Sequence, residues 1–240
     1  KNTIGSTLYT TLEPCTHQGK TPPCTNIIIK KKIKNVYYAF EDPDTRTFKK
    51  AKKILNKKGI KTKLIQSKKY KNFYKSYFIN KKNKIPFISA KIAFSKDNLT
   101  INKKKKWITN EFSRKVSHLL RHQHNAILST SKSINTDNSI LNCRINGFNN
   151  NKPDLLIVDL NLKLKKNLLL NKILDKRKTF LITLKINKKK TVPYKKKGYK
   201  IILVDCLKNK KDFNLLYKKL FKMGYSRILV ETGLTFLNTL

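Results

Sequence analysis

The chain is poor in the residues that mark specialised sequence classes. Its 240 residues hold one tryptophan, one methionine, seven glycines and seven prolines. Glycine and proline this sparse exclude a collagen-like repeat and a low-complexity linker architecture. Four cysteines, Cys15, Cys24, Cys143 and Cys206, are too scattered for a disulfide framework and fit a reducing, cytoplasmic compartment. No uninterrupted apolar run approaches the ~20 residues of a membrane-spanning helix. The opening KNTIGSTLY lacks the apolar centre of a signal peptide. Acids are scarce as well: 13 Asp and Glu stand against 56 Lys and Arg, a formal charge of +43.

A hydrophobic content of 39% suffices for the core of one large domain or two small ones. The charge would ordinarily point to nucleic acid or an anionic membrane. However, only six of the basic residues are arginine, and the 50 lysines are spread along the chain among Asn and Ile. Those three residue types share AT-rich codons, so the excess reads as compositional drift, with neither nucleic acid nor membrane as the expected partner. A phosphate-bearing substrate would benefit from the field in either case.

Alternating strand and helix patterns organise the chain. Tyr9–Leu12, Val36–Phe40 and Lys61–Ile65 read as strands, separated by a helix over Thr25–Lys32 and by a second on which Phe48, Ala51, Ile54 and Leu55 recur at helical spacing up to Gly59. Tyr70, Phe73, Tyr74, Tyr77 and Phe78 form an aromatic stripe that predicts a packed helix face. The polar NKKNKIP, residues 80–86, marks a linker between a domain over 1–79 and another over 87–240. In the second, Phe87–Phe94, Asn125–Leu128, Leu155–Val158, Thr179–Leu184, Lys200–Val204 and Arg227–Val230 read as strands, with helices over Asn110–Arg121 and Phe213–Phe221. The lysine runs at 102–106, 187–190 and 195–197 read as solvated loops. Two α/β domains with largely parallel sheets follow.

The stretch LYTTLEPCTHQGKTPPC, Leu8 to Cys24, carries the most chemistry. It ends a strand at Glu13-Pro14-Cys15 and sets Cys24 before a helix, the placement that zinc deaminases use for two thiolate ligands. Glu13 is a tempting proton shuttle, but beside a strand end it is more simply a structural anchor. Cys15, His17 and Cys24 could form a three-ligand set, although a ligand two residues after Cys15 would strain the loop around a tetrahedral metal.

TLEPCTHQGKTPPC, with the helix, strand and EDPD that follow it, resembles the deaminase domain of the bifunctional riboflavin-biosynthesis family RibD. PFISAKIAFSKDN, WIT and HNAILSTSKSINTDNSILNCR resemble its reductase domain. The resemblance implies a cytidine-deaminase-like α/β/α domain followed by a dihydrofolate-reductase-like α/β domain, both incomplete in this sequence. It makes Cys15 and Cys24 zinc ligands, with His17 and Lys20 contacting the pyrimidine. The third ligand and the catalytic Glu belong to an HAE motif expected before Lys1. For the reductase it implies NADPH at Ala93, Trp107, Ser133, Asp137 and Gly233 through Thr239, and substrate at Arg121, Leu141, Arg144 and Glu231.

Arginine suits that role on its own chemistry, because its planar fork grips a phosphate bidentately. The alternative for Arg121 is a favourable helix terminus. Departures from the family pattern fall at Asn98 and Thr232, each in place of glycine, and at Thr136-Asp137-Asn138-Ser139, which keeps one acid. The implied partner is a phosphorylated pyrimidine, with a homo-oligomer among the expectations. A nucleic-acid base deaminase and a non-catalytic basic nucleic-acid-binding module on the same fold are the rival readings.

Overall fold

The structure, a computed structural model, describes residues 2–67, 69–100, 108–148 and 153–240. It divides into two compact units, Lys1–Lys84 and Ile85–Leu240.

In the first unit the order is β1 (Thr7–Leu12), α1 (Cys24–Lys30), β2 (Asn35–Phe40), α2 (Lys50–Asn56), β3 (Lys61–Leu64) and α3 (Lys71–Asn83). The strands pair in parallel in the order β1-β2-β3. Ile28 of α1, Val36 of β2, Leu55 of α2 and Ile60 close the core. After α2 the chain turns through Gly59 at φ +73°, a left-handed conformation that glycine adopts without steric penalty.

Two expectations for α3 need correction. Tyr74 and Phe78 do pack against Phe40, tilted and edge-on, at ring centroid distances of 5.7 and 5.9 Å. Phe73, however, is 77% exposed, because the aromatic stripe is wider than the strip of helix that faces the sheet. The helix also runs through Asn83, so the polar segment 80–86 begins inside it. Lysine and asparagine do not stop a helix as proline does, and the break waits for Lys84, at φ 56°, and Pro86.

The second unit runs β4 (Phe87–Ala90), α4 (Glu111–His122), β5 (Ala126–Thr130), α5 (Ser131–Asp137), β6 (Asp154–Val158), β7 (Thr179–Leu184), α6 (Val192–Lys196), β8 (Lys200–Val204), α7 (Lys210–Lys222), β9 (Arg227–Val230) and α8 (Leu234–Leu237). Every strand pair is parallel, in the order β4-β9-β5-β6-β7-β8. Both sheet faces are covered, which explains strands that are apolar throughout. Leu128, Leu156 and Ile182 pack with Phe213 and Leu220 in one cluster, while Ile127, Leu155 and Leu181 pack with Ile134 and Leu170 in the other. A capping box starts α7: Asn209 accepts from the Lys211 and Asp212 amides, and Asp212 accepts in return from the Asn209 amide.

The strand expected over Phe87–Phe94 ends at Ala90. Beyond Lys91 the chain leaves the ladder for a turn in which the Ser95 amide donates to the Leu99 carbonyl and Asn98 sits at φ 61°. Lys195 and Lys196 end α6 rather than lying in a loop, since Pro193 in its first turn favours the helix. Helix α5 was not foreseen, because in seven residues it buries a single large apolar side chain, Ile134. Among the described residues no helix is long and apolar enough to cross a membrane.

Candidate active site

A parallel sheet gathers the carboxyl ends of its strands at one edge, where ligands of open α/β sheets bind. In the second unit that edge carries Lys91 after β4, Glu231 after β9 and Thr130 at the end of β5, on three neighbouring strands. Glu231 is only 8% exposed. Its amide donates to the Leu128 carbonyl at 3.0 Å, and its own carbonyl accepts from Ser129 Oγ at 2.7 Å, so its backbone is fixed on both sides.

The carboxylate meets Arg121 from the last turn of α4. Nε donates to Oε1 at 2.6 Å and Nη2 to Oε2 at 2.8 Å, the bidentate fork that adds direction to charge. Lys91 Nζ lies 3.8 Å from Oε2. Arg121 Nη1 donates to the Asn142 carbonyl at 3.0 Å. Arg121 is therefore much more than a cation closing a helix: it joins α4, the end of β9 and the segment after α5.

That segment carries Leu141, buried and at φ 54°, and Arg144, which is exposed. His118, one turn before Arg121, places Nδ1 3.1 Å from the Asn142 carbonyl oxygen and 3.2 Å from the Arg144 amide nitrogen. Burial, and then the charges of Arg121 and Arg144, push the His118 imidazole below its ordinary pKa, which favours the neutral ring. Of the residues the resemblance assigns to substrate, Arg121, Arg144 and Glu231 thus share one connected network, and Leu141 adjoins it in the chain through Asn142.

Beside it lies a group of hydroxyls. Thr130 Oγ1 donates to Ser133 Oγ at 3.1 Å and accepts from the Ser133 amide at 3.2 Å. Thr232 Oγ1 is 3.1 Å from Ser133 Oγ and 3.3 Å from Thr130 Oγ1. Gly233 follows directly, with open space where a Cβ would stand. Of the residues the resemblance gives to the dinucleotide, Ser133 and Gly233 come together here. Asp137 is exposed at the end of α5 and takes no part in this group, Ala93 is half-buried in the loop after β4, and Trp107 lies outside the described residues. Sequence reasoning missed Lys91, one lysine among 50, and also His118, Thr130 and the Thr232 hydroxyl. For His118 the signal was its three-residue spacing from Arg121 on a helix. A separate polar cavity of about 330 Å³ opens at the opposite, amino-terminal edge of the sheet, lined by His122, Asp154, Lys178 and Tyr225 among others.

In the first unit Glu13 is 2% exposed, and its carboxylate accepts from the amides of Asp42, Lys49 and Ala51 at 3.1, 3.1 and 3.0 Å. It is an anchor, as its place at a strand end predicts. Burial still pushes its carboxyl pKa above the ordinary value. The Cys24 amide donates to Cys15 Sγ at 3.2 Å. Partial burial and the neighbouring Cys15 thiol hold the Cys24 thiol above its usual range. His17 Nδ1 pairs with Thr47 Oγ1 at 3.0 Å, and Lys20 is exposed. Among the described residues no group of three or more His, Cys, Asp and Glu could hold a metal, so His17 does not complete a set with the two thiols. Nearby, Asp44 is gripped by Arg46 and Lys81, which hold its carboxyl far below the usual carboxylate range.

The family described as RibD C-terminal domain matches residues 86–240. The riboflavin biosynthesis protein RibD of Aquifex aeolicus is 33% identical over 236 residues, covering 95% of this chain and 63% of that protein. RibD of Buchnera aphidicola is 38% identical over 155 residues, covering 63% of this chain and 42% of that protein. Among solved structures, the Thermotoga maritima diaminohydroxyphosphoribosylaminopyrimidine deaminase/5-amino-6-(5-phosphoribosylamino)uracil reductase is similar with a TM-score of 0.78 at 26% identity, over 97% of this chain and 63% of that one. Acinetobacter baumannii RibD shares the fold with a TM-score of 0.77 at 23% identity, over 98% of this chain and 64% of that one. The chain therefore spans less than two thirds of the length of these relatives.

Proposed function

The chain belongs to the RibD C-terminal domain family, and from that premise we propose that its second unit is an NADPH-dependent reductase of riboflavin biosynthesis, acting on the ribosyl chain of a phosphorylated aminouracil and yielding the ribityl product. The observation that carries this reading is the Glu231 carboxylate, fixed by Arg121 beside Lys91 at the carboxyl edge of the sheet.

A carboxylate has about four acceptor positions. Arg121 takes two, which leaves others for sugar hydroxyls, in an orientation the fork dictates. Lys91 Nζ presents a proton-bearing group to the same crevice. Exposed Arg144 offers a guanidinium to the substrate phosphate. The hydroxyls of Thr130, Ser133 and Thr232, with the open approach at Gly233, suit the uncharged polar contacts that a dinucleotide needs. NADPH, when bound, supplies the hydride. The protein's share is then positioning and the exclusion of water, which is the larger part of catalysing such a transfer. The test is NADPH oxidation by this chain with 5-amino-6-(5-phosphoribosylamino)uracil. Absence of substrate-dependent oxidation in folded protein would sink the reading.

For the first unit, residues 1–79 in the sequence-based division, we infer part of a zinc-dependent pyrimidine deaminase. Cys15 and Cys24 would be thiolate ligands, and His17 and Lys20 would face the substrate. The adjacency of the two thiols supports this, as does a Thermotoga relative named for both activities that matches 97% of the chain. Two soft sulfur donors suit zinc. A catalytic zinc site needs a third protein ligand and an acid-base group, and the sequence contains no HAE motif to supply them. Weak zinc binding that falls further in Cys15→Ser and Cys24→Ser is expected in competition with a chelating dye. Equal binding by the wild type and both variants would reject the ligand assignment. Salt-dependent RNA binding without NADPH binding would favour the basic-module reading instead.

A further inference from the structure

Arg177, just before β7, is 6% exposed, and among the described residues no carboxylate pairs with it. Its partners are all main-chain carbonyls. Nη1 donates to Leu141 O at 2.8 Å and to Pro153 O at 3.3 Å, and Nη2 donates to Ile140 O. Burying a charged group against carbonyl dipoles, with the charge of Asp154 in its favour but no ion pair, is unfavourable unless those carbonyls need holding. Here they do. Leu141 is a branched residue at φ 54°, in a region that disfavours side chains. One residue further on, the Asn142 carbonyl receives Arg121 Nη1 and lies against His118, and the Arg144 amide faces the same ring.

The segment 140–144 is thus fastened on two sides: to Arg177 through Ile140 and Leu141, and to α4 through Asn142 and Arg144. Burial, and then the charge of Arg121, lower the Arg177 pKa to about 10, which still leaves the guanidinium charged at neutral pH.

Resting on the reductase reading above, we propose that Arg177 is a positioning residue of the substrate site: by holding the Ile140 and Leu141 carbonyls it sets the left-handed turn at Leu141, and through it the placement of Asn142 and Arg144 against Arg121. Arg177 is too buried to touch the substrate itself. Its action is confined to the half of the site that the resemblance gives to substrate, because none of its partners belongs to the hydroxyl group at Thr130, Ser133 and Thr232.

The experiment compares Arg177→Met and Arg177→Lys with the wild-type chain by NADPH-oxidation kinetics and by hydrogen–deuterium exchange. In Arg177→Met the KM for the phosphoribosylaminouracil is expected to rise about tenfold or more, while the KM for NADPH stays within about twofold. Amides of residues 140–145 should exchange faster, with β5 unchanged. Lysine keeps the charge but gathers its three donors on one nitrogen, without the planar fork that spaces Nη1 and Nη2 over Leu141, Pro153 and Ile140, so Arg177→Lys should fall between the two. A parallel rise of both KM values, or an unchanged substrate KM, overturns the proposal. If Arg177→Met does not fold, Arg177→Lys decides by the same split. A folded wild type that oxidises no NADPH removes the reductase reading instead, and exchange then judges the clamp: unchanged exchange at 140–145 overturns it.

Discussion

The two units each bury a glutamate at the end of a strand, and they hold it in opposite ways. Glu13 accepts three main-chain amides of its own unit and, among the described residues, pairs with no side-chain cation. Glu231 meets Arg121 in a two-point fork and has Lys91 beside it, both reached across long stretches of sequence. A carboxylate held by three amides is committed to the fold, since releasing any of them leaves a buried donor unpaired. One held by side-chain cations at the ligand edge of a sheet can still offer lone pairs to a hydroxyl. Burial alone would rank the two acids together; only the kind of partner separates them.

The sharpest way to break that comparison is to remove the cation from Glu231. Both members of the pair are nearly buried, so Arg121→Ala should destabilise the second unit by about 3–5 kcal/mol, as expected when one partner of a buried pair is lost. It should also abolish substrate-dependent NADPH oxidation. Urea unfolding followed through exchange of β5 and β9 amides measures the first effect. A loss below about 1 kcal/mol would mean that the pair behaves as a solvated surface contact.

Truncation of Glu13 tests the other side. Glu13→Ala strands three amide donors, and with about 1–3 kcal/mol for each buried unsatisfied group, relieved in part by water, a net loss of about 3 kcal/mol is expected. The loss should appear in β2 and β3 exchange and leave the reductase rate unchanged. A comparable loss of reductase activity would overturn the assignment of Glu13 to the fold alone.

This difference also marks what could be read from the sequence. Strand and helix order was legible because apolar residues recur at the right periods, from Val36 through Leu55 to the runs at Leu155 and Thr179. Glu13 was legible as an anchor from its place at a strand end. The cysteine pair, Arg121 and Arg144 stood out because cysteine and arginine are rare here and these four fall within matched motifs. Lys91 was invisible among 50 lysines, and its role comes from the insertion of β9 between β4 and β5, which no local pattern encodes. Arg177 was missed for a related reason: its partners are carbonyls, which carry no residue identity. The early end of β4 was hidden because Ile92 and Phe94 continue a strand-like alternation after the ladder has stopped.

Acidic pH separates the anchors in the first unit by sign. The Asp44 carboxyl is depressed by its hydrogen bonds to Arg46 and Lys81, so below the ordinary value of 3.8 the unfolded chain takes up a proton that the folded chain refuses. The stability Asp44 contributes is complete above that pH and is lost as pH falls through the range beneath it. Glu13, raised by burial, runs the other way. Its contribution is complete below its ordinary value of 4.5 and declines as pH rises through the folded value. Asp44→Asn should therefore flatten the acid limb of first-unit stability, whereas Glu13→Gln should flatten the slope above pH 4.5. Urea midpoints at a series of pH values separate the two, and identical slopes in both variants would show that neither carboxyl titrates as its partners dictate.

The smallest effect is expected at Asn98, where the family pattern has glycine. Its φ of 61° lies in the left-handed region, and the turn is closed by the Asn98 amide donating to the Ser95 carbonyl. Asparagine is the side chain that tolerates this conformation best, so the departure has little to correct. Asn98→Gly relieves a small strain but gives the unfolded chain more freedom, and the two changes oppose each other. Stability should shift by no more than about 0.5 kcal/mol in either direction, and NADPH affinity by less than about twofold. Fluorescence titration with NADPH measures the second quantity. A gain of about tenfold or more would mean that the loop after β4 limits cofactor binding.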